Sequence, residues 1–349
     1  MNKYILYPFL IFFIVLSQEF LAQEGDNSGS INLFSDQGML YLKLNYSNKA
    51  VKKNSNDSTY IKTELSYKEK DGSWKNINAK LKRRGNNRLK NCYFTPIKLK
   101  VKKSVAAGTV FEGNNKLKLV LPCIQQKDLN DNILKEFMAY KFFELISPYH
   151  FKTRLVAIDY KEKRGNRLKL HQIKGILIED IDKTADRYEG RVIERDIHPL
   201  TQDGECSIRN DFFQYMIGNT DYSIAQQHNQ KLLYIDKKIV PIPYDFDMSG
   251  LVNASYSVVP NANGKQLEID NVTQRLFRGY KRDERIYQAI RKEFLDNQMG
   301  FFDIVDSLKS SFNDTREFSK SRKFISDFFE ILNNDINFKN EILSKARTK

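Results

Sequence analysis

The hydrophobic period of this chain changes along its length, and the order of those changes limits the fold more than any other feature. From Tyr60 to Val120, apolar and polar residues alternate with the two-residue period of half-buried strands. "YIKTELSYKEKDGSW" is predicted to form a hairpin that turns at Asp71-Gly72, and "PIKLKV" and "NKLKLVL" continue the alternation. In "NILKEFMAYKFFELI" the period lengthens. Leu134, Met138, Phe142 and Leu145 fall on one helical face, with Asn130 or Asp131 placed to cap it. Strands return in "TRLVAIDY" and "IKGILIEDI", and an earlier one is expected within "INLFSDQGMLYLKLNYS". Beyond about Asp182 the pattern is mainly helical, as at Phe301, Ile304, Val305, Leu308 and Phe312, interrupted by a strand pair in "QKLLYIDKKIVPIPYDFD". This segregation predicts an α+β protein of two lobes: a strand-rich N-lobe with one helix over residues 23–180, and a mainly helical C-lobe over 181–349. A cleft between lobes is a natural ligand site.

Residues 1–22 read as an export signal, with Lys3 followed by an apolar run from Tyr4 to Leu16 that is shorter than a spanning helix. They predict a secreted, periplasmic or cell-surface protein with no membrane span after cleavage. The chain of 349 residues carries a net charge of +14, which favours polyanionic partners without choosing among them. Cys92, Cys123 and Cys206 allow one internal disulfide and leave one thiol over. The histidines (His150, His171, His198 and His228) and cysteines show no zinc-type spacing. A metal here would therefore take oxygen ligands, which suits magnesium, manganese or calcium.

Two constellations carry candidate chemistry. Residues 209–256 place polar groups at the ends of apolar segments: "FFQYMIG" leads into Asn219-Thr-Asp221, and "IVPIPY" leads into Asp245-Phe-Asp247. Asn219 and Asp221 also suit turn caps, and Asp245 and Asp247 suit caps of the next element. In an extended strand, however, Asp245 and Asp247 would share a face and repel each other unless a cation stood between them. Asp221, then Asn229 after seven intervening residues, then Asp245 after a hairpin gives the order of parts that phosphoryl transfer uses. The second constellation, Lys80 to Lys103, holds ten Lys or Arg residues and no acid, around the glycine turn "RRGNNR". It reads either as a solvated basic hairpin or as a turn that directs N–H groups and guanidinium forks at phosphates. Its aromatics are limited to Tyr93 and Phe94, so it offers no stacking platform and predicts no specific nucleic-acid partner.

In order, "LKRRGNNR…PIKLKV", "NDNILKEFMAYKFFELISPYHFKTRLVAIDY", "IKGILIEDID", "IGNTDYSIAQQHN" and "PIPYDFDMSGL" resemble the motifs of the CotH-type secreted kinases, related to spore coat protein H. The resemblance spans roughly residues 78–256. It implies a two-lobed protein-kinase-like fold and transfer of the ATP γ-phosphate to a protein hydroxyl with Mg²⁺ or Mn²⁺. By that correspondence Asp221 is the catalytic acid, and Asn229 and Asp245, with Asp247 beside it, are metal ligands. Arg84 and Lys98 meet the phosphates, and Glu136 is the ion-pair partner of Lys98. The family's serines are replaced here by Asn86-Asn87 followed by Arg88, and the basic residue often found just after the catalytic aspartate is missing. A kinase-like scaffold acting as a secreted binding or surface-assembly protein, with a degenerate site, is the alternative expectation.

Overall fold

The computed structural model describes residues 33–348, apart from 57, 86, 127, 263 and 264, so the export segment and Asn86 lie outside the described residues. The elements of the first half are β1 (Leu40–Tyr46), α1 (Asn48–Asn54), β2 (Ile61–Lys68), β3 (Trp74–Arg83), α2 (Asn87–Asn91), β4 (Ile97–Val101), α3 (Lys103–Ala106), β5 (Lys116–Val120), α4 (Leu129–Ile146), β6 (Thr153–Arg164) and β7 (Arg167–Glu179). The second half holds α5 (Ile181–Arg187), β8 (Arg191–Ile193), α6 (Gly204–Met216), β9 (Gln230–Ile235), β10 (Lys238–Pro243), α7 (Glu284–Asp296), α8 (Gln298–Ser307), α9 (Thr315–Asn333) and α10 (Asp335–Phe338).

The strands of the first half close into a seven-stranded barrel in the order β1-β2-β3-β4-β5-β7-β6. Alternation decides what faces inward: Leu42, Leu44, Leu65, Leu81, Leu99, Leu119, Ile158 and Leu177 fill the interior as one core. The expected hairpin is present. β2 pairs with β3 from Lys68↔Trp74, and Gly72 takes the left-handed φ of +88° that the turn demands. Closure comes from β1, which runs parallel to β6 with Leu40 opposite Val156 and Tyr46 opposite Glu162.

This closure overturns the two-lobed kinase-like expectation, although the α+β class holds. A barrel leaves no open strand-rich lobe facing a helical one, because its first strand is paired on both sides. "TRLVAIDY" and "IKGILIEDI" are the apolar ends of one long β6–β7 hairpin that extends through a polar tip at Gly165. β7 faces two cores. Leu177 points into the barrel, while Ile176 and Ile178 point outward into a second cluster with α4 and the helices of the second half.

Helix α4 lies between the barrel and those helices and is buried almost all round: Phe137 and Phe143 are covered as well as Leu134, Met138 and Phe142. Several of its polar residues find partners across the interface. Lys135 pairs with Glu317 at 3.0 Å, and Asp131 accepts from the backbone N–H groups of Asn313 and Asp314 at 2.8 and 3.0 Å. Asn130 accepts from Lys174 N–H at 2.8 Å, so neither Asn130 nor Asp131 caps the helix, whose N-cap position is Asp128. The cysteine count resolves as a Cys92–Cys123 disulfide and a free Cys206, whose thiol pKa burial pushes up to about 12. Among the described residues no helix is long and apolar enough to cross a membrane.

Phe142, fully buried with its ring centroid 5.3 Å from that of Phe301, joins α4 to α8. Phe142→Ala should lower the unfolding free energy by about 3–5 kcal/mol in urea titrations. Leu168→Ser, at a site 61% exposed on the β6–β7 tip, should change it by less than about 0.5 kcal/mol.

Candidate active site

The β9–β10 hairpin carries the acids. β10 is an edge strand of a three-stranded sheet, the position that tolerates Pro241 and Pro243, which lack N–H donors. Gln230 lies opposite Pro243, and one step beyond, Tyr244 N–H donates to the Asn229 carbonyl at 3.0 Å. The chain therefore leaves both strands at one mouth, with Asn229 and Asp245 side by side. Both take left-handed backbone, φ +54° and +66°, a conformation that a side chain bearing Cβ adopts at a cost.

Asp221 reaches this mouth from α6. After Gly218, Asn219 donates to Gln214 at 2.8 Å and accepts from Asp221 N–H at 3.0 Å, so Asn219 is the turn cap. Asp221 itself is not a cap. Its Oδ2 accepts from Asn229 Nδ2 at 3.1 Å, and its Oδ1 lies 3.2 Å from His228 Nε2. The same Asn229 amide donates to the Asp221 carbonyl at 2.6 Å. From behind, Arg278 donates to the carbonyls of Thr220 and, at 2.8 Å, Tyr222. The three residues expected to act together, Asp221, Asn229 and Asp245, are thus brought together.

The cation demanded by Asp245 and Asp247 is present as a side chain. Arg88, from the short α2, places Nη1 3.3 Å from Asp245 Oδ1 and Nη2 3.2 Å from Asp247 Oδ2. Asp247 is buried and its Oδ2 also accepts from Tyr256 at 3.1 Å, whereas the Asp245 side chain is 22% exposed. Glu136 of α4 lies in the same cluster, with no hydrogen-bond partner for Oε1. Three carboxylates around one guanidinium leave the cation favoured and the acids disfavoured. Burial opposes the Arg88 charge, but Asp247 and Asp245 outweigh it and hold its pKa above the ordinary value. Asp247 is pushed up by burial and by Asp245, only partly relieved by Arg88. Glu136 is pushed up to about 8, chiefly by burial, with Asp247 and Asp245 adding to it against Arg88 and Arg84. Among the described residues no group of three or more His, Cys, Asp or Glu side chains is arranged to hold a metal ion.

The expected basic residues divide. Arg84, just beyond β3, acts electrostatically on Glu136, Tyr140 and Tyr244. No ion pair joins Lys98 to Glu136 among the described residues; Glu136 meets Arg88 and Arg84 instead. Lys98 stands opposite Lys118 of β5. Lys118, which no sequence motif singles out, is the buried lysine of the site: its ammonium lies 4.5 Å from the Tyr244 ring centroid and 4.9 Å from that of Phe151. Burial, reinforced by the charges of Arg84, Lys98 and Lys231, lowers its pKa to about 7. The alternation in "NKLKLVL" puts Lys118 on a polar face, and only the cover supplied by Phe151 and Tyr244 marks it out. Arg88 had a signal, since it closes the basic glycine turn "RRGNNR". No protein-family model matches this chain, and no curated protein sequence matches it either.

Arg88→Ala would leave Asp245, Asp247 and Glu136 without their shared cation. It should cost about 3–5 kcal/mol of stability at neutral pH by chemical denaturation. A second test uses Glu136. Below its ordinary value of 4.5 the carboxyl is protonated in folded and unfolded chains alike, and its contribution is complete. Between 4.5 and about 8 the unfolded chain sheds the proton that the folded chain keeps, so stability falls as pH rises through this window. Glu136→Gln should therefore gain on the wild type by a few kcal/mol between acidic and mildly alkaline pH, on the order of 1.4 kcal/mol for each tenfold difference in proton affinity between the two states. Equal pH profiles would exclude a buried, proton-holding Glu136.

Proposed function

We propose that the protein is a phosphotransferase that moves the γ-phosphoryl group of ATP to a hydroxyl of an exported or surface protein, assisted by Mg²⁺ or Mn²⁺. The observation that carries this reading is the meeting of Asp221, Asn229 and Asp245 at one hairpin mouth beside a basic wall of Arg84, Lys98 and Lys118. Asp221 orients the acceptor hydroxyl and takes its proton as the new P–O bond forms and the bond to the leaving diphosphate breaks. Lys118, Arg84 and Lys98 draw in the phosphates and offset the charge that spreads over the transferred group.

Two oxygen donors suit a hard cation. Asn229 turns its amide nitrogen to Asp221, leaving its oxygen for other partners, and among the described residues Arg88 engages Asp245 through Oδ1. Asn229 and Asp245 would hold the cation, which would supply charge neutralisation to the phosphates. Asp247, buried beneath Arg88 and Tyr256, fits the role of ligand less well. The motif resemblance to the CotH-type secreted kinases supports the chemistry, and it enters as likeness in the motifs and not in the fold.

One observation favours a second reading, a binding scaffold without turnover: Arg88 already neutralises the acids that a metal would need. Thermal melting with ATP and either cation, followed by radiolabel transfer, separates the two. A ligand at a hundredfold excess over Kd adds about 2.7 kcal/mol, a shift of a few degrees for a chain of this size. That shift should vanish in Asp245→Ala and shrink in Lys118→Met. Label transfer should fall by about a hundredfold or more in Asp221→Asn. No shift with either cation would leave the scaffold reading.

A further inference from the structure

The outer face of the barrel carries a grid of lysines, of which the catalytic reading uses only Lys98 and Lys118. Strand register places Lys62 of β2 opposite Lys80 of β3, Lys80 opposite Lys100 of β4, and Lys100 opposite Lys116 of β5. One step along, Lys82 stands opposite Lys98, and Lys98 opposite Lys118. Five cross-strand pairs are therefore directly opposed like charges, an arrangement that weakens a sheet. Among the described residues no carboxylate comes within ion-pair distance of Lys62, Lys80, Lys100 or Lys116. Glu64, opposite Asn78, is the one acid on the outer face of these four strands. A lysine distributed along a loop is ordinary solvated surface. A two-dimensional array held in register by β-sheet, on strands whose inner faces are fully committed to the core, is a preformed cationic surface.

We infer that this face binds an acidic segment of polypeptide, one rich in Asp, Glu or phosphorylated side chains. The aromatic rings on the face argue for polypeptide over nucleic acid. Tyr60 is covered by Lys82 and Lys100, at 5.1 and 5.6 Å from its ring centroid, and Trp74 by Lys43 at 3.7 Å. Bases would need those rings bare to stack on them. Asn76 and Asn78, exposed on the same face of β3, offer amide donors and acceptors suited to a peptide main chain. Neighbouring strands set the lysines about 4.8 Å apart across the sheet and alternate residues set them about 6.8 Å apart along it, within reach of successive acids on an extended chain. Binding of an acidic peptide here does not depend on phosphoryl transfer at the hairpin mouth.

The test is fluorescence anisotropy of a fluorescein-labelled peptide of alternating Glu and Ser, titrated with the full chain at several salt concentrations. The Debye length shrinks from about 30 Å at 0.01 M to about 8 Å at 0.15 M salt, so affinity should fall steeply over that range. The triple variant Lys62→Gln/Lys80→Gln/Lys116→Gln should lose about tenfold or more in affinity at low salt. Its melting temperature should not fall, because like-charge pairs have been relieved, and Lys62→Arg/Lys80→Arg/Lys116→Arg should bind as the wild type does. ATP-dependent melting of the glutamine variant should match the wild type, which separates this face from the candidate active site. Absence of peptide binding at low salt, equal binding by the glutamine variant, or tighter binding of oligo-dT than of a peptide of matched charge would each overturn the inference.

Discussion

The guanidinium of Arg88 ties the barrel to the rest of the molecule at the point where the acids gather. It comes from the connection between β3 and β4, and its partners come from the segment after β10 and from α4. With its side chain 13% exposed, Arg88 is largely out of water, where the attraction of two close carboxylates is strong and the loss of one partner is expensive. The same connection is pinned further on. Cys92 is bonded to Cys123, Tyr93 N–H donates to the Cys123 carbonyl at 2.7 Å, and Asn48 holds Tyr93 O and Thr95 N–H at 2.5 and 3.0 Å. Arg88 is thus delivered by a clamped loop, and it fixes in turn the orientation of the Asp245 carboxylate.

What was legible in the sequence follows from the distance over which each feature is decided. The hairpin at Asp71-Gly72 was legible because a tight turn needs a left-handed residue and glycine supplies it locally. Helix α4 was legible from its period, though not its burial on nearly every side, since strands of the barrel and helices of the second half both pack on it. The barrel was not legible. Its closure is the parallel pairing of residues 40–46 with 156–162, and nothing within either segment announces the other. β7 showed an apolar run on both faces, a pattern that fits a strand shared by two cores as well as a strand between two lobes.

The candidate site divides in the same way. Asp221, Asn229 and Asp245 lie on one continuous stretch folded around a single hairpin, so their proximity is nearly written into the connectivity. The cation between Asp245 and Asp247 was required by charge, but its identity was not. Sequence spacing suggested a metal, and a guanidinium from 157 residues away fills the role. The implied pairing of Lys98 with Glu136 failed for a related reason. Lys98 lies on the outer face of β4 beside Lys118, while Glu136 is turned into the pocket that Arg88 occupies.

Arg88 does not by itself decide between turnover and mere binding. Its bond takes Oδ1 of Asp245, while the Asn229 amide nitrogen is turned to Asp221. A cation held at that mouth would not require loss of the guanidinium, since ligating carboxylates are commonly hydrogen-bonded by supporting donors. Loss of the guanidinium would remove the charge that offsets both Glu136 and Asp247, leaving Arg84 acting on Glu136. The left-handed backbone at Asn229 and Asp245 points the same way. Strain of about 1–3 kcal/mol at each residue is tolerated only where the surroundings hold it. Here the hairpin register holds it, as do Arg88 and the Tyr140 hydroxyl, which accepts from Asp245 N–H at 3.0 Å. The mouth is therefore held in place by the protein's own contacts, with Arg88 acting as its support.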